Sequence, residues 1–254
     1  MLKLKVIVTA GGTSEKIDEI RSITNRATGR LGSLVAEGFL SRLSGADTVY
    51  YVCSENAARP RAGGERLKVL TVSDTCSLRR CLEKLLGENR IDAVVHSMAV
   101  SDYKTFHVTT ADRLAREICG AADAKCAESV YRRILSSRID SSSKISSDIE
   151  HPVLVLEKTP KIISIVKDLS PETVLVGFKL LDGVSREVLV ETAWRLLLKN
   201  RCDFVLANDA ASISQNSHDG ILIDDKRNCT DFHCKEAIAT GIVGAVLAKT
   251  GVSQ

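Results

Sequence analysis

Short apolar runs alternate along the chain with segments whose apolar residues recur at helical spacing. The runs predict buried strands at Val6–Val8, Thr48–Val52, Leu67–Val72, Ile91–Met98, Val153–Leu156, Val174–Leu181 and Phe204–Ala207. Strands that are apolar along their whole length are typical of parallel sheets with both faces covered. The pattern therefore predicts an α/β fold, with a mostly parallel sheet and helices on both of its faces.

The periodic segments predict the helices that connect these strands. They begin at Gly29, at Ser73 or Asp74, at Thr159-Pro160, at Ser185 and at Lys235, and the last two end at Asn200 and Lys249. A Thr at the N-cap followed by Pro at the first helical position is a good helix start, which explains Thr159 and Pro160 structurally. A hairpin is expected at Gly220–Asp224 and near Thr230–His233.

The alternation breaks between Tyr103 and His151. Two charged, helix-compatible pieces lead there into the serine-rich SSRIDSSSKISSD. Residue patterns alone slightly favour a surface linker over a closing flap. We expect one domain, residues 1–254, with a flap or insertion at 104–150 after the fourth strand.

Composition limits the class of partner. Hydrophobic residues make up 44% of 254 residues, and 35 basic against 32 acidic residues give a net charge of +3. This near-balance argues against a nucleic-acid-coating surface. No apolar run reaches membrane-spanning length, and no secretory leader or CxxC is present, so we expect a cytoplasmic protein with its 8 cysteines reduced. Cys229, His233 and Cys234 form an incidental trio rather than a zinc site.

The first forty residues carry the clearest chemistry. A strand runs into Gly11, Gly12 and Thr13, and a polar segment then leads to Gly29 and Gly32 at a helix start. Glycines let the backbone approach a ligand, and free N–H groups at a helix start favour an anion, so the stretch predicts a phosphate site. It matches neither GxxxxGK[ST] nor GxGxxG, and no Tyr-x-x-x-Lys supports a short-chain dehydrogenase.

Other candidate residues follow later strands and helices. Asp102 and Asn208-Asp209 come directly after strands, where ligands of open α/β sheets lie, although turn chemistry explains them equally well. Arg195 and Lys199 share a helix face and could clamp a polyphosphate, with a solvated face as the ordinary alternative. Phe178 is either a core residue or a ring available to a base.

An ordered series of motifs resembles the phosphopantothenoylcysteine synthetase family. After TAGGTSEKID and IRSITNRATGRLG come MAVSDY from Met98, the pair Lys144-Ile145, KTPKII from Lys158, LVGFKL from Leu175 and KNRCDFVLAND from Lys199. The resemblance implies a Rossmann-like homodimer that acts on 4′-phosphopantothenate and L-cysteine in coenzyme A synthesis. It also implies CTP as co-substrate, with Mg²⁺ held through the triphosphate. Under the resemblance, the serine-rich insertion would be a closing flap rather than a linker.

The resemblance also implies roles for individual residues. Asn25 would hold the acyl-nucleotide intermediate, Lys144 would act in activation, and Arg21 would reach the neighbouring subunit's substrate. Phosphopantothenate would further contact Asn25, Met98, Ala99 and Asp102. The nucleotide would be bound by Gly11, Gly12, Thr13, Ala27, Gly29, Gly32, Asp102, Thr159, Pro160, Lys161, Ile162, Phe178, Arg195, Lys199 and Asn208.

The chain also departs from the family pattern. Ser146-Ser147 follow Lys144-Ile145 where the family has further lysines, and Lys161 replaces an acidic residue. No flavoprotein decarboxylase half is present, so we expect the stand-alone bacterial form. The departures leave the choice between CTP and ATP open. The rival hypotheses are a nucleotide-sugar or NAD(P)-dependent oxidoreductase and a catalytically inactive nucleotide-binding module.

Overall fold

The structure, a computed structural model, describes residues 4–42, 47–61, 63–119, 127–141, 143–213 and 218–251. The chain divides into two compact units. The first comprises Met1–Thr13, Arg26–Val100 and Lys161–Gln254, and the second comprises Ser14–Asn25 and Ser101–Pro160. The insertion expected at 104–150 lies within the second unit, and its residues 120–126 and 142 are outside the described residues.

The elements follow in chain order. The strands are β1 (Lys5–Ala10), β2 (Ser14–Lys16), β3 (Ser22–Thr24), β4 (Thr48–Cys53), β5 (Leu67–Thr71), β6 (Ala93–His96), β7 (Tyr103–Thr110), β8 (Pro152–Lys158), β9 (Val174–Leu181), β10 (Phe204–Asp209), β11 (Gly220–Asp224) and β12 (Cys229–Phe232). The helices are α1 (Arg30–Arg42), α2 (Thr75–Glu88), α3 (Ala111–Cys119), α4 (Ala127–Ser136), α5 (Ile162–Leu169), α6 (Arg186–Asn200) and α7 (Lys235–Lys249).

The first unit is built on one sheet with the strand order β12-β11-β10-β9-β6-β1-β4-β5. Strands β10, β9, β6, β1, β4 and β5 are parallel, and β11 and β12 add an antiparallel edge. The prediction of a mostly parallel, Rossmann-like α/β sheet is therefore confirmed.

Helices cover both faces of this sheet because its central strands are apolar on both sides. Val6 and Val8 of β1 pack into a cluster with α1 and α7, which contains Phe39. Ile7, on the opposite face of β1, packs into a second cluster with α2, α5 and α6, which contains Leu82. All five side chains are fully buried, and truncating a residue such as Phe39 to alanine costs about 3–5 kcal/mol.

The second unit contains two small antiparallel sheets. Strands β2 and β3 form a hairpin, and β7 pairs with β8 from Tyr103↔Lys158 to Thr110↔Pro152. Helices α3 and α4 correspond to the two charged pieces predicted to be helix-compatible. Neither the β2–β3 hairpin nor β7 was predicted from the sequence.

The strand at Val153–Leu156 was predicted correctly, but its place in the parallel alternation was wrong. It belongs to β8 and pairs antiparallel with β7, in a sheet separate from the large one. Val153 and Val155 are half-buried, whereas Leu154 and Leu156 are exposed. This alternation of half-buried and exposed residues is typical of an antiparallel strand with one face covered. The sequence does not reveal it because all four residues are apolar.

The start of α5 also differs from the prediction. The helix begins at Ile162, its N-cap is Lys161, and no side chain caps it. Thr159 does not act as N-cap because its hydroxyl donates to the Ser101 carbonyl at 2.5 Å and its amide donates to the Asp102 carbonyl at 3.1 Å. By contrast, Asp74 caps α2 as predicted.

Candidate functional site

The strand order of the first unit defines one topological switch point. From β1 the chain proceeds outward through β4 and β5, then returns to β6 on the other side of β1. In open α/β sheets, ligands bind beyond the carboxyl ends of the strands where the order reverses. The loops at that position are Gly11–Thr13 after β1 and Ser97–Ala99 after β6, both of which carry predicted site residues.

These two loops are joined by backbone hydrogen bonds. The Ala99 amide donates to the Gly11 carbonyl at 2.9 Å, and the Thr13 amide donates to the Ala99 carbonyl at 3.1 Å. Gly12 and Ala99 form a parallel bridge. The structure thus brings Gly11, Gly12, Thr13, Met98 and Ala99 together, but the amide of Thr13 is already used within the protein.

The start of α1 packs directly onto this loop pair. Gly11 and Gly29 have positive φ angles of 86° and 70°, which favour glycine. A Cβ at Gly29 would lie 3.0 Å from the Gly11 nitrogen, and a Cβ at Gly32 would lie 2.7 Å from Ala10 Cβ. Only glycines at these positions let the helix come this close to the end of β1.

The N-terminus of α1 is the best candidate anion site in the first unit. Its helical bonds begin with the Ser33 amide donating to the Gly29 carbonyl at 2.9 Å. Amides in a first turn have no partner within the helix, and no acidic side chain lies in the first turn of α1. Arg30 adds a cation at the same end. Donors for a phosphate are therefore expected from α1 rather than from the bonded Gly11–Thr13 loop.

A buried histidine fixes the loop after β6. The Nδ1 atom of His96 lies 3.0 Å from the Thr9 hydroxyl, which accepts a hydrogen bond from the Met98 amide at 3.1 Å. Burial lowers the pKa of His96 from 6.5 to about 4. With its ring neutral, His96 forms a hydrogen-bonded chain with Thr9 and Met98, which holds one of the predicted substrate-contacting residues in place. His96 was not among the residues predicted from the sequence.

Asn208 and Phe178 lie on neighbouring strands of the sheet. Asn208 is buried at the end of β10, and its amide nitrogen donates to the Asp219 carbonyl at 3.2 Å and lies 2.9 Å from His218 Nε2. Burial lowers the pKa of His218. Phe178, on β9, is partly buried against the cluster formed with α1 and α7. Asn208 therefore connects β10 to the start of β11, and the Phe178 ring is partly occupied by core packing.

Arg195 and Lys199 are not brought together with these loops. Both are exposed on α6, and Arg195 donates to Glu191 at 2.9 Å, which also accepts from Arg227 at 2.7 Å. Helix α6 ends at Asn200, just before β10 begins, so Lys199 lies at the opposite end of β10 from Asn208. This placement favours the solvated-face alternative over a polyphosphate clamp.

The remaining predicted nucleotide residues of the first unit differ in exposure. Ala27 is half-buried just before α1. Lys161 is exposed at the N-cap of α5, whereas the Ile162 side chain is buried in the core. Only the backbone of Ile162 is therefore suited to a ligand.

Two predicted residues of the second unit are connected through a residue that was not predicted. Asp18 is buried, and its Oδ2 accepts from Arg21 Nη2 at 2.6 Å and from the Ile145 amide at 3.1 Å. Arg21 Nη2 also donates to the Ile145 carbonyl at 2.9 Å. Lys144, directly before Ile145, is exposed. The Arg21 guanidinium holds the pKa of Asp18 well below its usual range, so this carboxylate stays ionised.

The other predicted residues of the second unit are Asn25, Asp102, Thr159 and Pro160. Asn25 is half-buried at the end of the Ser14–Asn25 segment. Asp102 is exposed, and its carbonyl accepts from the Thr159 amide at 3.1 Å. That bond extends the β7–β8 pairing past Tyr103, so part of the role of Thr159 is structural.

The described residues contain no group of three or more His, Cys, Asp and Glu side chains that could hold a metal ion. Cys234 instead caps α7, since its sulfur accepts from the Ala237 amide at 3.4 Å. His233 Nδ1 lies 3.0 Å from an Asp219 carboxylate oxygen. The seven cysteines in the described ranges are all free, and none of the helices there is long and apolar enough to cross a membrane.

Comparison with known proteins places this geometry in a family. Residues 1–118 and 135–249 match the family described as DNA/pantothenate metabolism flavoprotein, C-terminal domain. The coenzyme A biosynthesis bifunctional protein CoaBC of Thermococcus kodakarensis is 30% identical over 219 residues, which cover 86% of this chain and 44% of that protein. The chain thus spans less than half the length of this curated relative.

Solved structures agree with the fold. The DNA/pantothenate metabolism flavoprotein from Streptococcus pneumoniae is 34% identical, with a TM-score of 0.80 over 96% of this chain and 99% of that one. A mutant of Cab2 in complex with phosphopantothenate-cysteine shares the fold at 16% identity, with a TM-score of 0.66 over 98% of this chain and 86% of that one. The chain therefore belongs to the DNA/pantothenate metabolism flavoprotein C-terminal domain family, which confirms its resemblance to phosphopantothenoylcysteine synthetases.

Proposed function

We propose that the protein is a phosphopantothenate–cysteine ligase of coenzyme A biosynthesis. Its substrates would be 4′-phosphopantothenate, L-cysteine and CTP, and its products 4′-phospho-N-pantothenoylcysteine, CMP and pyrophosphate. The observation that carries the proposal is the family match over residues 1–118 and 135–249, which includes both loops at the switch point and the Lys144 segment.

The first step is activation of a carboxylate. A carboxylate oxygen of phosphopantothenate attacks the α-phosphorus of CTP, and the bond to the β-phosphate oxygen breaks to release pyrophosphate. The substrate supplies the nucleophile, so the protein must align the groups and neutralise charge on phosphate oxygens. Supporting residues are Lys144, an exposed cation, and the first turn of α1 with Arg30. Mg²⁺ bound to the triphosphate oxygens would supply further neutralisation.

The second step forms the amide. The cysteine amine attacks the acyl carbonyl of the mixed anhydride, the bond to the phosphate oxygen breaks, and CMP leaves as the amine proton is lost. Asn25 can donate a hydrogen bond to a carbonyl or an oxyanion without adding a competing nucleophile. Exclusion of water during this step is the function we assign to the serine-rich flap around Lys144.

The ligase proposal is tested with purified protein, phosphopantothenate, cysteine and Mg²⁺, with CTP or ATP added separately. Pyrophosphate release together with amide formation supports the ligase, and the relative rates give the nucleotide preference. A change in NADPH absorbance without pyrophosphate release would instead identify an oxidoreductase. Nucleotide binding without turnover would identify an inactive binding module.

We also propose that the protein is a homodimer in which Arg21 contacts the substrate of the neighbouring subunit. The Arg21 side chain is 45% exposed even though it is bonded to Asp18, which leaves part of the guanidinium accessible. Sedimentation equilibrium tests the assembly. A monomer that retains full turnover at every protein concentration would contradict it.

A further inference from the structure

The turn at residues 18–21 and the segment after Lys144 meet at one buried carboxylate. Asp18 Oδ1 accepts from the amides of Ile20 at 2.8 Å and Arg21 at 2.7 Å. Asp18 Oδ2 accepts from Arg21 Nε at 2.9 Å, from Arg21 Nη2 at 2.6 Å and from the Ile145 amide at 3.1 Å. Both oxygens of this single side chain are therefore used in full.

The backbone of Ile145 is held at both its N–H and its carbonyl group. Its N–H donates to Asp18, and its carbonyl accepts from Arg21 Nη2 at 2.9 Å. The Ile145 side chain is 5% exposed, whereas Lys144, one residue earlier, is exposed. The backbone next to Lys144 is thus fixed while the lysine side chain projects into solvent.

From this geometry, and resting on the ligase proposed above, we infer that Asp18 is the positioning residue that holds Arg21 and the Lys144 segment in place together. Asp18 orients the Arg21 guanidinium with two hydrogen bonds and binds the peptide that follows Lys144. The arrangement sets where the activating cation can reach, because the backbone directly after Lys144 is held.

The substitution Asp18→Asn tests this arrangement with almost no change of shape. An asparagine has one oxygen, so it can serve either the two turn amides or the Arg21 and Ile145 donors. The other set would face an NH₂ group, which donates and cannot accept. Glu19→Gln is the matched control. It removes the same charge at the next residue, and the Glu19 side chain is 58% exposed.

The first measurement does not depend on activity. Trypsin cleaves after lysine, so the Lys144–Ile145 bond is cut only when the Ile145 peptide leaves Asp18 and Arg21. The loss of charge-assisted hydrogen bonds predicts at least tenfold faster appearance of the fragment ending at Lys144 in Asp18→Asn. Glu19→Gln should be cleaved within twofold of the unmodified protein. An unchanged rate in Asp18→Asn would overturn the inference.

The second measurement separates positioning from a general loss of stability. Asp18→Asn should lower the rate of pyrophosphate release at least tenfold and raise the KM for phosphopantothenate, with the KM for CTP unchanged. A rise of both KM values together, or normal turnover despite faster cleavage, would refute the positioning role. If the unmodified protein releases no pyrophosphate, the ligase proposal fails and the cleavage rates still decide whether Asp18 holds the segment.

A second variant covers the case in which Asp18→Asn does not fold. Arg21→Lys keeps the positive charge, but one ammonium group cannot reproduce the paired Nε and Nη2 contacts to Asp18 together with the bond to the Ile145 carbonyl. Cleavage after Lys144 should then be several-fold faster, and a rate equal to that of the unmodified protein would overturn the inference.

Discussion

Protonation of His96 should control a distinct part of the acid sensitivity of this protein. The imidazole is 7% exposed at the end of β6, and burial lowers its pKa from 6.5 to about 4. Between these values the unfolded chain binds a proton at residue 96 that the folded protein excludes. The free energy of unfolding therefore contains a contribution that is fully present above pH 6.5 and is lost as the pH falls toward 4.

The size of this contribution follows from the two pKa values. Each pH unit between 6.5 and about 4 corresponds to about 1.4 kcal/mol, so the full loss is roughly 3 kcal/mol. The substitution His96→Asn removes the titration and keeps a side-chain amide that can hydrogen-bond to the Thr9 hydroxyl from a position close to that of Nδ1. Other groups that titrate in this range, including His107 and His218, are common to both proteins and cancel in the difference.

Urea unfolding monitored at several pH values between 4 and 8 measures this difference. Above pH 7 the stability of His96→Asn should be constant relative to the unmodified protein. Below pH 6.5 the unmodified protein should lose stability faster, by as much as about 1.4 kcal/mol per pH unit. Parallel curves across the range would refute the assignment of a neutral, desolvated ring to His96. They would also remove the basis for the His96–Thr9–Met98 chain.

Three further predictions concern the site itself. Gly32→Ala should lower the free energy of unfolding by about 1–2 kcal/mol in thermal melts, because the new Cβ would lie 2.7 Å from Ala10 Cβ. The control Gly87→Ala, whose new Cβ would meet no neighbouring atom within 4 Å, should instead raise the free energy of unfolding by about 0.5 kcal/mol. Lys144→Gln should slow pyrophosphate release roughly 100-fold without a large melting shift, since a large shift would make Lys144 structural. Asn25→Asp should leave the protein folded and release pyrophosphate in the first turnover, but it should impair conversion of the acyl-nucleotide; near-normal product formation would contradict its role.

The large sheet could be predicted from the sequence because its strands are buried on both faces. Val174–Leu181 and Lys235–Lys249 were predicted with the bounds that the structure gives. A run of apolar residues of strand length, or a long apolar-periodic segment, has few alternatives in a chain of this composition. Sequence patterns are most reliable for such elements, since burial of each one constrains nearly every residue in it.

Strands β2, β3 and β7 of the second unit were missed because much of each is exposed and polar. Strand β7 begins with exposed Tyr103 and Lys104, and the hairpin strand β3 is half-buried only at Ile23. Neither segment has the apolar run or strict alternation that marks a strand. The pairing of β7 also depends on a partner far along the chain, such as Glu157 opposite Lys104. Local pattern could not supply that information.

The polar contacts of the candidate site were missed for a related reason. Asp18 and Arg21 are close in sequence, and an Asp three residues before an Arg could have suggested a turn. The third member, Ile145, is 127 residues from Asp18, and His96 is 87 residues from Thr9. No single-sequence pattern links residues so far apart, whereas the motif resemblance predicted roles for Arg21 and Lys144 without explaining what holds them.

Strand order, rather than any one motif, explains why the two loops of the first unit act together. Thr9 lies opposite His96 in the parallel pairing of β1 with β6, so the two strands end at the same edge of the sheet. Because β1 and β6 are neighbours in the sheet, Ala99 can bond to Gly11 and Thr13. The order of the strands along the chain reverses between these same two strands. The excursions 14–25 and 101–160, which form the second unit, follow these same two loops in sequence. An insertion after an edge strand such as β5 would interrupt no such pair of bonded loops.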